Sequence, residues 1–396
     1  MLVLHPFVRP SLLFLSTTTT SSLFGTHDPT AAVSFNSPPP AGTPTFWVCG
    51  EVLIDRLPAL PALPSTNTDN KSQYDCDEDQ RRNVVGGGAA NTATCLARLG
   101  YDQVQLIAGI SNDEYGNLAQ VELLKNNVQL DLCLQTSSEQ PTCLATVTLD
   151  ENKQATYEFL IDNTASFAFD RAWLPDFTTT SQPNVVHLGT LATIIEPGAT
   201  HIYDWCVQDA VPQQIPIVYD PNIRPAVLNN RMHYQQSVEK FAALATVIKA
   251  SDEDLAWLYP DEAYEEIAHR WLTSASPNNL TQLVVITRGA KGITAYTKNT
   301  KNGNTGTTTT TSTEFLTVVH AVPTRAMAVL DTVGAGDTVG AILTEGLVVH
   351  GIEKLVTDPT VLQAVMERAN IAAGITCSRE GCQPPSQLDL DTATQL

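Results

Sequence analysis

The octapeptide Asp331-Thr332-Val333-Gly334-Ala335-Gly336-Asp337-Thr338 constrains this chain more than any other stretch. The apolar run before it (Met327, Val329, Leu330) reads as the end of a strand. Behind it Val339, Ile342, Leu343, Leu347 and Val348 recur at helical spacing until Gly351. A strand that passes through a glycine turn into a helix aims several N–H groups without helical partners at one point. Gly334 and Gly336 let an anion approach that backbone, and Asp337 sits beside it in the first helical turn. A phosphate cradle next to a carboxylate is what a phosphotransferase needs. Alone, the same tetrapeptide is equally a plain helix start whose acid complements the helix dipole, so the rest of the chain has to decide.

A second glycine turn precedes a helix at Val84-Val85-Gly86-Gly87-Gly88-Ala89-Ala90-Asn91, with Ala90, Ala93, Leu96 and Ala97 on the buried side and Gly100 as the stop. It lacks the Gly-x-Gly-x-x-Gly spacing of a dinucleotide loop. Gly87 and Gly88, with Asn91 one turn on, suit close approach of a polar uncharged ligand such as a sugar. Phe46 to Asp55 reads as the first strand, ending in a carboxylate, and Thr142–Leu149 with Ala155–Ile161 as a hairpin. Strands follow at Asn184–Leu188, Ile215–Tyr219, Ala245–Ile248 and Leu283–Thr287, separated by helical stretches such as Gly198–Gln208. That alternation implies βαβ units and a parallel, doubly wound sheet, whose ligands gather at the carboxyl ends of the strands. Asp55, Asp220-Pro221-Asn222-Ile223-Arg224, Ser251 with Asp254, Thr287-Arg288-Gly289 and Asp331 to Asp337 all fall at such ends. Each has a plain reading: turn chemistry at 220–222, a capping box at Ser251-x-x-Asp254, a hairpin turn from Thr287 to Gly292. Their convergence on one sheet edge favours a site.

The remaining segments are read from composition. Residues 1–45 are rich in Ser, Thr and Pro, with no acid before Asp28 and Arg9 as the one permanent base. They suit an organelle transit peptide or a disordered tail, and Leu12-Leu13-Phe14-Leu15 would also suit a short secretory core. The expected location is therefore cytoplasmic, or a plastid or mitochondrion if that segment is a transit peptide. Pro58–Arg82, with its acidic cluster Asp75 to Asp79, reads as a solvated loop, and Thr305–Thr313 as a hairpin tip. A net charge of -20, from 42 acids against 22 bases, argues against nucleic acid or an anionic membrane as partner. No apolar segment reaches spanning length. The 8 cysteines have no zinc-ligand spacing and read as reduced structural thiols.

Together Gly50-Glu51-Val52-Leu53-Ile54-Asp55, Gly87-Gly88-Ala89-Ala90-Asn91, Leu96-Ala97-Arg98-Leu99-Gly100 and Asp331 to Asp337 resemble the ribokinase-like, or PfkB, family of sugar kinases, fructokinases most of all, over residues 46–390. Gly189-Thr190-Leu191-Ala192 and Asp220 to Pro225 look like the matching segments of bacterial fructokinase-type members. The resemblance implies a three-layer α/β/α, doubly wound, mostly parallel sheet with a small β lid drawn from about 55–86 and 140–162. It implies ATP with Mg²⁺ and a small sugar as ligands, with K⁺ in some members. Asp55, Gly87, Gly88, Asn91 and Asn222 would hold the sugar, and Arg224 the substrate or the transferring phosphate. Gly334, Ala335 and Gly336 would form the anion hole, with Asp337 as base. Ser251, Thr287, Gly289 and Gly292 would face the nucleotide, and Asn370 the adenine. Asp254, where Glu is usual, would order Mg²⁺ through water, and Asp331 would lie near a monovalent cation. Members often dimerise through lid strands, which leaves a homodimer open. One departure bears on the sugar: many fructokinases carry a lid arginine where this chain has Ile161-Asp162-Asn163-Thr164-Ala165. Fructose is the expected substrate, with ribose, a 2-keto-3-deoxy sugar acid or a nucleoside as alternatives on the same fold. A catalytically silent binding or assembly protein is the rival of another class.

Overall fold

The structure is a computed structural model that describes residues 43–58, 81–149, 155–177, 182–275, 279–298, 316–323 and 328–394. The expected tail, most of the acidic insertion and the threonine-rich tip lie outside the described residues.

In chain order the strands are β1 (Thr45–Cys49), β2 (Leu53–Leu57), β3 (Arg82–Gly86), β4 (Gln103–Ile107), β5 (Gly109–Ser111), β6 (Leu134–Thr136), β7 (Cys143–Leu149), β8 (Ala155–Leu160), β9 (Val185–Gly189), β10 (Ile217–Asp220), β11 (Val247–Ser251), β12 (Leu283–Thr287), β13 (Ile293–Lys298) and β14 (Leu316–Ala321). The helices are α1 (Gly88–Arg98), α2 (Glu114–Lys125), α3 (Gly198–Trp205), α4 (Arg231–Leu244), α5 (Asp252–Leu258), α6 (Tyr264–Thr273), α7 (Ala335–His350), α8 (Ile352–Thr357), α9 (Pro359–Cys377) and α10 (Gln387–Thr394). Eight strands form the main sheet in the order β14-β13-β12-β11-β10-β9-β1-β4, parallel from β12 to β4 and antiparallel on both sides of β13. A four-stranded sheet, β3-β2-β7-β8, stands apart from it, and β5 pairs with β6.

Strand alternation explains the three layers. Phe46 and Val48 of β1 pack with α1, α7 and α9, while Trp47 and Cys49 pack with α3, α4 and α6 on the other face. Successive strand residues point to opposite faces, so a sheet covered on both faces needs apolar residues throughout. That requirement also hides strand breaks. Phe46 to Asp55 is not one strand: the chain leaves the main sheet at Gly50 and re-enters as β2 in the small sheet, so Asp55 belongs to the latter. Nor is there a strand end before Asp331. The strand β14 stops at Ala321, and Val329 and Leu330 lie in a loop, 61% and 72% exposed. Among the described residues no helix is long and apolar enough to cross a membrane.

Candidate active site

The loop before α7 enters the helix through Gly334, whose φ of 75° is left-handed. A Cβ added there would also lie 2.1 Å from Cys382 Sγ. Two groups of bonds hold the loop. The N–H groups of Leu330 and Asp331 donate to Cys377 O, at 2.8 and 3.2 Å. The Asp331 carboxylate accepts from Val333 N at 3.0 Å and Gly381 N at 2.9 Å. In the first turn Ala335 N donates to Thr332 O at 3.3 Å, while the N–H groups of Gly336 and Asp337 meet no acceptor among the described residues. Two free donors at a helix start are what anion sites use.

The second glycine turn arrives from the far end of the chain. A Cβ on Gly88 would sit 2.2 Å from Thr190 Cγ2 and 3.3 Å from both Asp337 Oδ1 and Asn222 Nδ2, so only glycine fits the junction. Gly87 caps α1 beside it. Asn91 Nδ2 donates to Asp337 Oδ2 at 2.7 Å, and Asn222 Nδ2 to Asp337 Oδ1 at 3.3 Å. Asp337 is 8% exposed. Burial raises its carboxyl above the ordinary range, the Asn91 bond lowers it, the Asp220 charge raises it, and the Lys249 and Arg224 charges lower it, with a net rise. Asp55, on β2, is pushed up to about 7 by burial, against Arg224 and with Asp331 and Asp337 adding to the rise. A Cβ on Gly86, at the end of β3, would meet Asp55 Oδ2 at 2.4 Å.

Farther along the edge, Ser251 and Asp254 form the capping box of α5. Both Asp254 oxygens accept backbone N–H groups, Oδ2 from Ser251 at 3.0 Å and Oδ1 from Ile223 at 2.8 Å. Ser251 is the register neighbour of Thr287. Gly289 and Gly292 make the turn after it, both at positive φ. A Cβ on Gly292 would lie 2.2 Å from Ala321 O, the same oxygen that accepts Asn370 Nδ2 at 3.0 Å. The expected residues thus fall into two groups on one edge. Asp55, Gly87, Gly88, Asn91, Asn222 and Asp337 form one; Ser251, Thr287, Gly289, Gly292 and Asn370 form the other. Arg224 is exposed beside the first, its charge acting on both Asp55 and Asp337.

Three buried groups escaped sequence reasoning. Glu51 is 2% exposed and accepts from Gly88 N at 3.0 Å, Ala192 N at 3.2 Å and the Thr190 hydroxyl, so it fastens the second glycine turn to the end of β9. Lys249 Nζ bonds Asp220 Oδ2 at 2.7 Å, directly beneath Gly336. The signal was present in each case: an acid or a lysine inside an otherwise apolar strand context. His187, buried against Thr344 of α7 at 2.9 Å, is pushed down to about 3 by burial and the Lys249 charge, and stays neutral.

A doubly wound sheet with a glycine turn of free N–H donors and a buried aspartate at its carboxyl edge is the layout of the ATP-dependent carbohydrate kinases of the ribokinase-like fold. The profile of the "pfkB family carbohydrate kinase" matches residues 48–389, and the chain belongs to that family. The fructokinase of Rhizobium leguminosarum bv. trifolii is 32% identical over 294 residues, 74% of this chain and 76% of that protein. The fructokinase of Xylella fastidiosa with bound ATP superposes with a TM-score of 0.71 at 21% identity, over 89% of this chain and 98% of that one. A double mutant of the Vibrio cholerae O395 fructokinase, with fructose, ADP and a potassium ion bound, gives 0.65 at 21% identity, over 88% and 98%.

Proposed function

We propose that this kinase transfers the γ-phosphoryl group of ATP to a primary hydroxyl of a ketohexose, with fructose as substrate and fructose 6-phosphate and ADP as products. The observation that carries the reading is the junction of the two glycine turns, where Asp337 is buried with each carboxylate oxygen on a carboxamide. Asn91 gives its N–H to Asp337 and keeps its oxygen for a sugar hydroxyl. Gly87 and Gly88 leave room for the ring, while Asp55 and Arg224 close the sugar side. Asp337 takes the hydroxyl proton as the new P–O bond forms and the bond to ADP breaks. A loose transition state asks for this only late, so an aspartate suffices as base. The N–H groups of Gly336 and Asp337, with Gly334 and Ala335 shaping the turn, stabilise the charge shifting on the phosphoryl oxygens. Closure of the small sheet β3-β2-β7-β8 over the sugar would exclude water and suppress ATP hydrolysis.

Among the described residues no three His, Cys, Asp or Glu side chains gather to hold a metal by themselves. A Mg²⁺ that arrives on nucleotide phosphates and keeps its waters needs only one or two protein carboxylates. When bound it would neutralise charge between the β- and γ-phosphates. Asp254, with a lone pair left on each engaged oxygen, is the residue to order its waters. Asp331, whose carboxylate accepts from Val333 N and Gly381 N, is the residue that would lie near a K⁺ ion. The nucleotide itself would lie along Ser251, Thr287, Gly289, Gly292 and Asn370.

The test is ADP release from Mg-ATP across ketoses, aldoses, ribose and nucleosides, with Asp337→Asn protein beside the wild type. Turnover on fructose that falls by about two to three orders of magnitude in the variant, with sugar binding intact, is the expected result. Near-normal turnover of the variant removes Asp337 from the mechanism, and preference for ribose or a nucleoside replaces fructose as the substrate.

A further inference from the structure

A lysine in the middle of a fully covered strand needs an explanation. Lys249 is 3% exposed on β11, and its partner Asp220 is 1% exposed at the end of β10. Replacing such buried pairs by apolar side chains is often neutral or stabilising, so stability alone is a weak reason for this one. Its placement is specific. Nζ lies beneath the anion turn, 3.0 Å from where a Cβ on Gly336 would stand, and bonds one oxygen of Asp220 at 2.7 Å. The other oxygen accepts Asn222 N at 3.2 Å. Asn222 is held at φ 38°, a conformation that asparagine tolerates better than most residues, and from it the side chain reaches Asp337 Oδ1.

We propose that the Asp220–Lys249 pair positions the base: through Asn222 it sets where the Asp337 carboxylate points, and its ammonium balances the acids crowded at this edge. The inference rests on the kinase reading above. Without the ammonium, Asp220 would be a lone buried carboxylate, which must take a proton or turn toward water; either outcome loosens Asn222. The other charges at this place are Asp55 from β2, Arg224 after β10, Asp254 from α5 and Asp331 from the loop before α7. The thiols of Cys95 and Cys382 and the neutral His187 complete the surroundings. Of two cations among five acids, Lys249 acts on the Asp337 carboxylate more strongly than Arg224 does.

Lys249→Met is expected to lower kcat by about 10- to 100-fold, the loss that follows a displacement of about 1 Å at a reacting group. The acid limb of its kcat–pH profile moves to higher pH, because a cation that favours the Asp337 carboxylate is gone. Adding Asp220→Asn removes the opposing charge yet keeps an oxygen for Asn222 N, so the double variant regains both kcat and the acid limb. Simple loss of packing predicts no such rescue. If Lys249→Met fails to fold, Lys249→Gln carries the test: positioning predicts a fall in kcat with the sugar KM unchanged, and a rise in KM alone overturns it. A crystal structure of Lys249→Met or of the double variant reads the same link without turnover. An Asn222 amide that leaves Asp337 in Lys249→Met and returns in the double variant supports the proposal; one that stays in bonding distance in Lys249→Met overturns it. A wild type inert on every sugar overturns the kinase reading, and the crystallographic distance still judges the positioning.

Discussion

Cys382 decides which residue can stand at 334. Its sulfur occupies the place of a Cβ at Gly334, whose left-handed backbone already disfavours a side chain. Gly334→Ala should cost at least about 2 kcal/mol, from the backbone and the overlap together. Adding Cys382→Ala should return only the sulfur's part of the overlap, because the Cβ of residue 382 still stands 2.8 Å away, and leave more than about 1 kcal/mol. Urea unfolding of both single variants and the double measures the coupling, and strict additivity would show that the sulfur moves aside at no cost. Asp55 supplies a pH effect. Its folded-state value of about 7 lies above the unfolded one, so the folded protein holds this proton more tightly. Asp55 therefore favours folding at low pH, and its contribution declines as pH rises from about 4 to about 7. Asp55→Asn should change Tm little at pH 4 and raise it at pH 8, in scans without ligand. An equal change at both pH values would mean that the carboxyl titrates normally.

Elements were legible in the sequence where a period or a special residue marked them, and illegible where burial erased both. The two glycine turns, with Asn91 and Asp337 one turn into their helices, stood out because a helix start after glycine has few alternatives. Phe46 to Asp55 was apolar enough for one strand, and nothing in it marked the move between sheets; the bonds of Glu51 explain that break only once β9 is in place. Val329 and Leu330 looked like the end of a strand because apolar residues in a loop are the exception. Another element-scale device is the clamp behind the site. Arg368 of α9 forms a two-bonded pair with Glu345 of α7, at 2.8 and 3.0 Å, and also bonds Gln387 of α10. The helix α7 carries Asp337, the proposed base, at its other end, so this pair sets how that helix sits. Arg368→Met should cost about 3–5 kcal/mol by leaving Glu345 buried and unpaired. Adding Glu345→Gln, which still accepts the Tyr101 hydroxyl, should recover more than half. Denaturant midpoints decide, and a double variant no better than the single would place the loss in packing.

At the scale of the whole molecule, the charge of -20 and the anionic nucleotide pull against each other. In the proposed site binding is local, through the free N–H groups of α7 with Lys249 and Arg224 nearby, whereas approach is governed by the summed field. Distant carboxylates act over a Debye length, about 30 Å at 0.01 M salt and about 10 Å at 0.1 M. Raising salt across that range therefore silences most of the surface acids before it weakens contacts buried at the sheet edge. The association rate of a fluorescent Mg-ATP analogue should rise by roughly a few-fold between those salt concentrations, with the dissociation rate little changed. A nucleotide site on a basic surface shows the opposite slope. Stopped-flow mixing at fixed Mg²⁺ measures it. A falling rate would mean that the positive end of α7 and its two cations dominate the field well beyond the site, and that the surface acids lie mainly on faces the nucleotide never meets.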